Sequence, residues 1–165
     1  MDPIREAQRQ WIAHGWDAAA DGMALVTSLA RVHQLVMERI EAALRPFDLS
    51  FARYEVLRLL AFTQDGELPM TKLGSRLQVH PASVTSAVGR LEKQRFVRRG
   101  RSATDGRVVL AAITGDGREV VEAATVSLNT EVFEKPGIDD VRGLTALLTE
   151  LRRASGDSVD DKTGE

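Results

Sequence analysis

The chain of 165 residues contains no cysteine, and only 5% of its residues are aromatic. The missing cysteines exclude disulfides, thiolate zinc sites, iron–sulfur clusters and a peroxide-sensing thiol. No apolar run approaches the ~20 residues that a membrane-spanning helix needs. The N-terminal stretch MDPIREAQRQW contains acidic residues and lacks the apolar core of a secretory signal. We therefore expect a cytoplasmic protein without contact to a membrane.

Motifs for catalysis or for holding a cofactor are also missing. The three histidines, His14, His33 and His80, are scattered, and none has a second histidine at the helical spacing of a metal site. The glycines form neither a G-x-G-x-x-G loop nor a Walker sequence, and there is no nucleophile-elbow pattern. We therefore expect no enzyme activity, no cofactor and no metal. His80 has one alternative role, which is contact with a phosphate.

The charge is unevenly distributed, although the net charge is only −2. Residues 70–110 hold nine basic and two acidic side chains, whereas residues 1–69 carry a net charge of −3 and residues 111–165 one of −6. A basic run alone is usually a solvated surface. A cationic segment between two acidic ones, however, predicts a localised anionic partner, of which nucleic acid is the commonest.

The apolar periodicity predicts a mainly α fold with a small β-hairpin. The predicted helices cover residues 3–18, 22–44, 51–62, 71–77, 81–95 and 115–133, and a last helix follows a break at residues 135–137. Two β-type runs, at 96–101 and 108–113, flank an Asp-Gly turn signal. Two of the helices carry long apolar stripes. The stripe of the helix at 22–44 consists of Leu25, Leu29, Val32, Val36, Ile40 and Ala43. The stripe of the last helix consists of Ile138, Val141, Leu144, Leu147, Leu148 and Leu151.

Residues 71–113 have the order of elements that defines a winged helix. The two short helices are separated only by residues 78–80, and the second opens with Pro81, as in a helix-turn-helix. A basic hairpin, the wing, follows at once. In the second helix, Val84, Val88 and Leu91 form the predicted inner face. This arrangement is typical of proteins that place a helix in the major groove of DNA.

The candidate DNA-binding residues lie on the outer face of that helix and at the wing tip. They are Ser83, Thr85, Ser86, Arg90 and Lys93 on the helix, and Arg101, Asp105 and Arg107 on the wing. Small hydroxyl residues permit close approach to base edges, and an arginine reaches guanine or the backbone. The wing arginines suit a minor groove. Asp105 either orients one of them or only forms the turn.

These residues resemble the MarR family of bacterial transcriptional regulators. The resemblance rests on residues 80–92, HPASVTSAVGRLE, and on residues 105–114, DGRVVLAAIT, which fit the pattern D-x-R-x5-[LI]-T with Gly117 following. It extends over residues 22–154. It implies a homodimer that binds a palindromic operator, usually as a repressor released by a small phenolic or lipophilic ligand, although no ligand-binding residue is identified.

Two features depart from the family pattern. Arg95 stands where members often have a glycine that ends the recognition helix, so a different helix end and an added phosphate contact are expected. The N-terminal extension is longer than the family minimum, and its residues Trp11 and Trp16 are expected to pack over the dimer interface.

The expected organisation has five parts. They are an N-terminal extension (1–21), a dimerisation helix (22–49), a winged helix-turn-helix domain (50–114), C-terminal dimerisation helices (115–154) and a disordered acidic tail (155–165). Two other functions are open: a winged helix that binds proteins without DNA, and a ligand-binding protein that has lost DNA binding.

Overall fold

The computed structural model describes residues 1–77 and 79–159, and within them the predicted mainly α fold with a small antiparallel sheet is confirmed. The helices are α1 (Pro3–Ala13), α2 (Asp17–Leu44), α3 (Phe51–Phe62), α4 (Met70–Leu77), α5 (Pro81–Lys93), α6 (Gly115–Leu128) and α7 (Val141–Ala154). The strands are β1 (Glu67–Pro69), β2 (Val97–Arg101) and β3 (Val109–Ile113). A 3-10 turn, Arg45–Phe47, follows α2, and a π-helical turn, Asn129–Phe133, continues α6.

The N-terminal segment is a hairpin of two helices, where the sequence predicts one helix over residues 3–18 and another from residue 22. Gly15 has a φ of 79°, and the N–H of Trp16 donates to the carbonyl of Trp11 at 3.0 Å. This is the hydrogen bond of a left-handed glycine cap, which ends α1 at Ala13. The chain reverses there and α2 begins at Asp17, so both predicted boundaries are wrong.

The sheet has the order β1-β3-β2, with every pair antiparallel. In the hairpin, Val97 pairs with Ile113 and Arg101 with Val109, so the predicted wing is confirmed. Strand β1 is not predicted, because three residues ending in Pro69 are too short to show a period of two. It covers the outer edge of β3.

The core lies where α3, α4 and α5 pack against the sheet and α6. The side chains that are fully buried there include those of Leu57, Leu60, Leu73, Val88, Leu91, Val97 and Leu128. Val84 is 2% exposed, so the three residues predicted for the inner face of α5 are all buried as expected. This packing fixes which face of α5 is presented to solvent.

Both predicted apolar stripes are largely uncovered in the single chain. Of the six stripe residues in α2, only Ile40 and Ala43 are buried, while Leu25 is 52% and Val32 54% exposed. In α7 no residue is buried, and Leu147 is 62% exposed. Ile138 precedes this helix, which begins at Val141 after the cap residue Asp140, so its predicted place on the helical stripe is wrong.

The chain folds back after α7. The carboxylate of Asp157 accepts from Arg152 Nε at 2.6 Å, and Gly156 adopts a φ of 88°. The predicted disordered tail, residues 155–165, includes Gly156 and Asp157. Its last part, residues 160–165, lies outside the described residues.

Candidate DNA-binding surface

The second helix of the helix-turn-helix, α5, begins with a histidine cap. Nδ1 of His80 accepts a hydrogen bond from the N–H of Ala82 at 3.1 Å. Pro81 occupies the first turn, where no N–H is needed. The hydroxyl of Thr85 donates to the carbonyl of Pro81 at 3.1 Å. His80 therefore has a structural role at the start of the helix, with Nε2 left for other contacts.

All five candidate residues of α5 are exposed on one face, opposite the buried valines and leucine. Ser86 and Arg90 lie in the middle of this face and line both of the grooves that flank it. The first, here called the α3 groove, has a volume of about 520 Å³ and is lined by Ser50, Ala52, Arg53, Ala82, Ser83, Ser86, Ala87 and Arg90. The second, the wing groove, has about 530 Å³ and is lined by Ser86, Gly89, Arg90, Glu92, Lys93 and Arg99.

The end of α5 has a left-handed cap made by an arginine. Arg95 has a φ of 64°, and the N–H of Phe96 donates to the carbonyl of Leu91 at 2.9 Å. The sequence predicts that α5 runs to Arg95 and that this arginine ends it differently from the usual glycine. Both expectations are wrong, because the helix ends at Lys93 and Arg95 itself takes the glycine conformation. Its side chain is exposed.

An ion pair joins α5 to the wing. Nε of Arg99 on β2 lies 2.5 Å from the carboxylate of Glu92, and both side chains are partly exposed. Arg98, the preceding residue, is exposed on the other face of the strand. Arg99 is one of the nine basic residues in segment 70–110, and it has an acidic partner within the protein. This pair links α5 to β2 on the surface that faces the wing groove.

The wing tip is held by hydrogen bonds between side chains and the main chain. Oδ1 of Asp105 accepts from the N–H of Arg107 at 3.0 Å, and Nη1 of Arg101 donates to the carbonyl of Gly106 at 2.6 Å. Among the ion pairs of residues 1–77 and 79–159, none involves Asp105. The carboxylate therefore shapes the turn, and it positions Arg107 through the backbone rather than through the guanidinium.

Sequence reasoning missed a polar cluster beside the α3 groove. Nη1 of Arg53 donates to Oε1 of Gln94 at 2.6 Å and to the carbonyl of Asp48 at 2.9 Å. Gln94 Nε2 donates to the same carbonyl at 2.8 Å. These residues are separated by 41 and 46 positions, so no local pattern indicates the contact.

Two further features of the described residues bear on other functions. In this part of the chain no group of three or more His, Asp or Glu side chains is placed to hold a metal ion. No described helix is both long and apolar enough to cross a membrane.

The architecture and the exposed face of α5 define a winged helix-turn-helix protein. Residues 47–108 match the model of the MarR family. The chain is 33% identical over 118 residues to the uncharacterized HTH-type transcriptional regulator YhbI of Bacillus subtilis. The aligned region covers 71% of this chain and 72% of the relative. The chain thus belongs to the MarR family of transcriptional regulators, which agrees with the expectation of a DNA-binding regulator rather than an enzyme.

Solved structures agree with this assignment. Sco5413, a MarR family transcriptional regulator from Streptomyces coelicolor, has 42% identity and a TM-score of 0.75, covering 85% of this chain and 99% of that one. CouR from Rhodococcus jostii RHA1, bound to p-coumaroyl-CoA, shares the fold with 24% identity and a TM-score of 0.67, covering 82% and 95%. The transcriptional repressor CouR bound to a 23-mer DNA duplex has 22% identity and the same TM-score, covering 78% and 89%.

Proposed function

We propose that this protein is a homodimeric repressor that recognises a palindromic operator through α5 and the wing. The observation that carries the proposal is the exposed face of α5, in which Ser86 and Arg90 lie between two grooves. A helix with this profile fits the major groove of B-DNA, which is ~12 Å wide and is bordered by a phosphate backbone on each side.

The side chains of α5 divide by length into two roles. Ser83, Thr85 and Ser86, in the first half of the helix, are short and let the backbone approach base edges. Arg90 lies one turn after Ser86 and is long enough for a bidentate contact with guanine. Lys93, at the end of the helix, faces the wing groove and is assigned to a phosphate.

The wing is assigned to the flanking minor groove. Arg101 is fixed by the Gly106 carbonyl, and Arg107 is exposed at the tip. A narrow, A·T-rich minor groove has an enhanced negative potential that attracts arginine. The wing therefore favours operators with such flanks, without reading individual bases.

The homodimer is proposed because two helices need a partner. α7 has no buried residue of its own, and the exposed stripe of α2 is equally apolar. A second copy supplies both surfaces at once through a two-fold axis. The recognition helices of such a dimer lie ~34 Å apart, which matches one turn of DNA and requires a palindromic site.

The effector is proposed to be a small lipophilic or phenolic molecule. CouR, which shares the fold, is bound to p-coumaroyl-CoA in one structure and to DNA in the other. We expect p-coumaroyl-CoA or free p-coumarate to release the protein from its operator in a fluorescence anisotropy titration. An unchanged anisotropy with both compounds contradicts this class of effector.

The proposed function is tested with duplexes recovered by selection from random sequence. We expect a palindrome to be enriched, its affinity to fall steeply with salt, and transcription from an overlapping promoter to decrease when protein is added. Arg90→Ala should lower operator affinity by about 1–3 kcal/mol with a smaller effect on scrambled DNA. Arg45→Ala, at an exposed arginine outside both grooves, is the control.

Three results contradict parts of this proposal. A binding constant that is flat across the salt range, or no enriched duplex at all, favours a protein-interaction module instead. Enrichment of a site without symmetry contradicts the dimeric operator. Equal losses on operator and scrambled DNA assign Arg90 to phosphate contact.

A further inference from the structure

Arg53 is fixed at a junction of three helices. Its Nη1 donates to the carbonyl of Asp48, between α2 and α3, and to the side chain of Gln94, which follows α5. Its Nε donates to the hydroxyl of Ser50 at 3.2 Å. Among the hydrogen bonds of residues 1–77 and 79–159, Nη2 makes none. The guanidinium is thus held in one orientation with a donor edge still available.

Gln94 completes this arrangement at the end of the recognition helix. It is the C-cap residue of α5, and its amide nitrogen donates to the Asp48 carbonyl that also accepts from Arg53. The amide oxygen therefore faces Arg53. Because three groups share these bonds, the end of α5 is fixed relative to the chain segment that leaves the long helix α2.

The lining of the α3 groove has the composition of an anion site. Arg53 and Arg90 both contribute to it, together with the hydroxyls of Ser50, Ser83 and Ser86. None of the eight described residues that line it is acidic, whereas the wing groove contains Glu92. A phosphodiester offers oxygens that accept from both guanidinium and hydroxyl groups.

The two grooves suit the two DNA backbones beside a helix in the major groove. If α5 lies in that groove, one strand passes on the side of Lys93 and Arg99, and the other on the side of Arg53. We propose that Arg53 binds a backbone phosphate in the α3 groove, held in place by Asp48 and Gln94. This inference rests on the proposed function and adds to it a contact outside α5 and the wing.

The test separates the charge of Arg53 from its structural role. Affinities are measured by anisotropy between about 50 and 300 mM KCl, on the selected palindrome and on a scrambled duplex of equal length. Arg53→Gln is expected to weaken binding equally on both. It should also reduce the slope of log affinity against log salt by about 2 per dimer, since each phosphate contributes ~0.9.

Two variants serve as controls. Gln94→Ala removes one of the groups that hold Arg53 but keeps the charge of the arginine, so we expect weaker binding on both duplexes with the wild-type slope. Arg45→Gln removes the same charge from an exposed position outside the groove and should leave the slope nearly unchanged. An Arg53→Gln slope equal to that of the wild type overturns the phosphate contact. A wild type that binds neither duplex overturns the proposed function instead.

A second measurement leaves Arg53 in place. Since the chain has no cysteine, Ala52→Cys provides a single attachment point in the α3 groove for an iron–EDTA cleavage reagent. We expect cuts in the backbone at one edge of each half-site. Ala146→Cys, exposed on the side of α7 facing away from the apolar stripe, is the matched control. Cleavage from position 52 that is no stronger than from position 146 overturns the inference.

Discussion

The left-handed conformation of Arg95 is the costliest backbone feature of the DNA-binding surface. A side chain in this region of φ and ψ costs ~1–2 kcal/mol relative to glycine, because Cβ crowds the following carbonyl. The conformation persists because the Phe96 N–H bonds to Leu91 and the Arg95 carbonyl accepts from the Thr114 hydroxyl at 2.8 Å. Arg95 thus adopts the backbone conformation that is usual for a glycine at the end of a helix.

Arg95→Gly should therefore raise the free energy of unfolding by about 1 kcal/mol. The measurement is urea denaturation at one fixed protein concentration. Arg95→Ala removes the same side chain but keeps Cβ, so the difference between the two variants isolates the backbone term. A glycine variant no more stable than the alanine variant contradicts the prediction. If both variants bind DNA more weakly and with a smaller salt slope, the side chain contacts phosphate.

Asp105 is an acid in a basic wing, and its oxygen caps the turn. Asp105→Asn retains the acceptor for the Arg107 N–H and removes the negative charge. We expect operator binding that is equal or tighter, because less charge opposes the phosphates. Asp105→Ala, which loses the acceptor, should bind more weakly. Weaker binding by the asparagine variant in the same anisotropy assay means that the carboxylate orients an arginine in the complex.

At the scale of the secondary-structure elements, hydrogen bonds at the start of α6 hold the two ends of the wing together. The Thr114 hydroxyl accepts from the Gly117 N–H at 3.0 Å, and the Thr114 N–H donates to the Phe96 carbonyl at 3.0 Å. A Cβ on Gly117 would collide with that carbonyl oxygen. Backbone thus packs against backbone here, which explains physically why a glycine follows the wing motif.

Gly117→Ala should destabilise the protein by about 1–3 kcal/mol, the usual cost of forcing atoms into a packed site. Helix propensity alone predicts the opposite sign, since alanine is favoured over glycine by ~1 kcal/mol. Gly115→Ala, in the same turn, meets nothing within 4 Å and should be neutral or stabilising. Urea denaturation of both variants measures the change in the free energy of unfolding at each position. Equal effects at the two positions contradict the steric explanation.

The elements that the sequence predicts correctly are those encoded by local patterns. The inner face of α5 follows from helical periodicity, and the hairpin follows from its Asp-Gly turn. The boundary between α1 and α2 is missed because a single left-handed glycine, Gly15, ends a continuous helical pattern. The contacts of Arg53 with Gln94 and of Arg99 with Glu92 depend on packing between elements, which no spacing encodes.

At the scale of the whole molecule, charge and apolar surface are separated. The basic segment 70–110 forms the recognition helix and the wing, while the acidic segments carry the helices with uncovered stripes. In the proposed dimer, association would use the stripes of α2 and α7, whereas DNA binding would use segment 70–110 together with Arg53. The two proposed functions of the chain therefore depend on different residues.

Disrupting the dimer should abolish tight operator binding without unfolding the winged helix. Leu148 lies in the middle of the α7 stripe, is exposed in the single chain, and contributes nothing to the core around α5. Leu148→Glu places a charge in the proposed interface, and light scattering should show a monomer at micromolar concentration. Operator affinity should then fall by about 10²–10⁴-fold, because the second half-site no longer binds at high effective concentration.

The matched control is Ala146→Glu, which adds the same charge to the same helix on the side facing away from Leu148. It should leave both the dimer and operator binding unchanged. Circular dichroism of Leu148→Glu should retain most of the helical signal, since the packed core lies in the winged helix. A wild-type protein that is monomeric at micromolar concentration, or a Leu148→Glu variant that dimerises as strongly as Ala146→Glu, contradicts an interface built on α7.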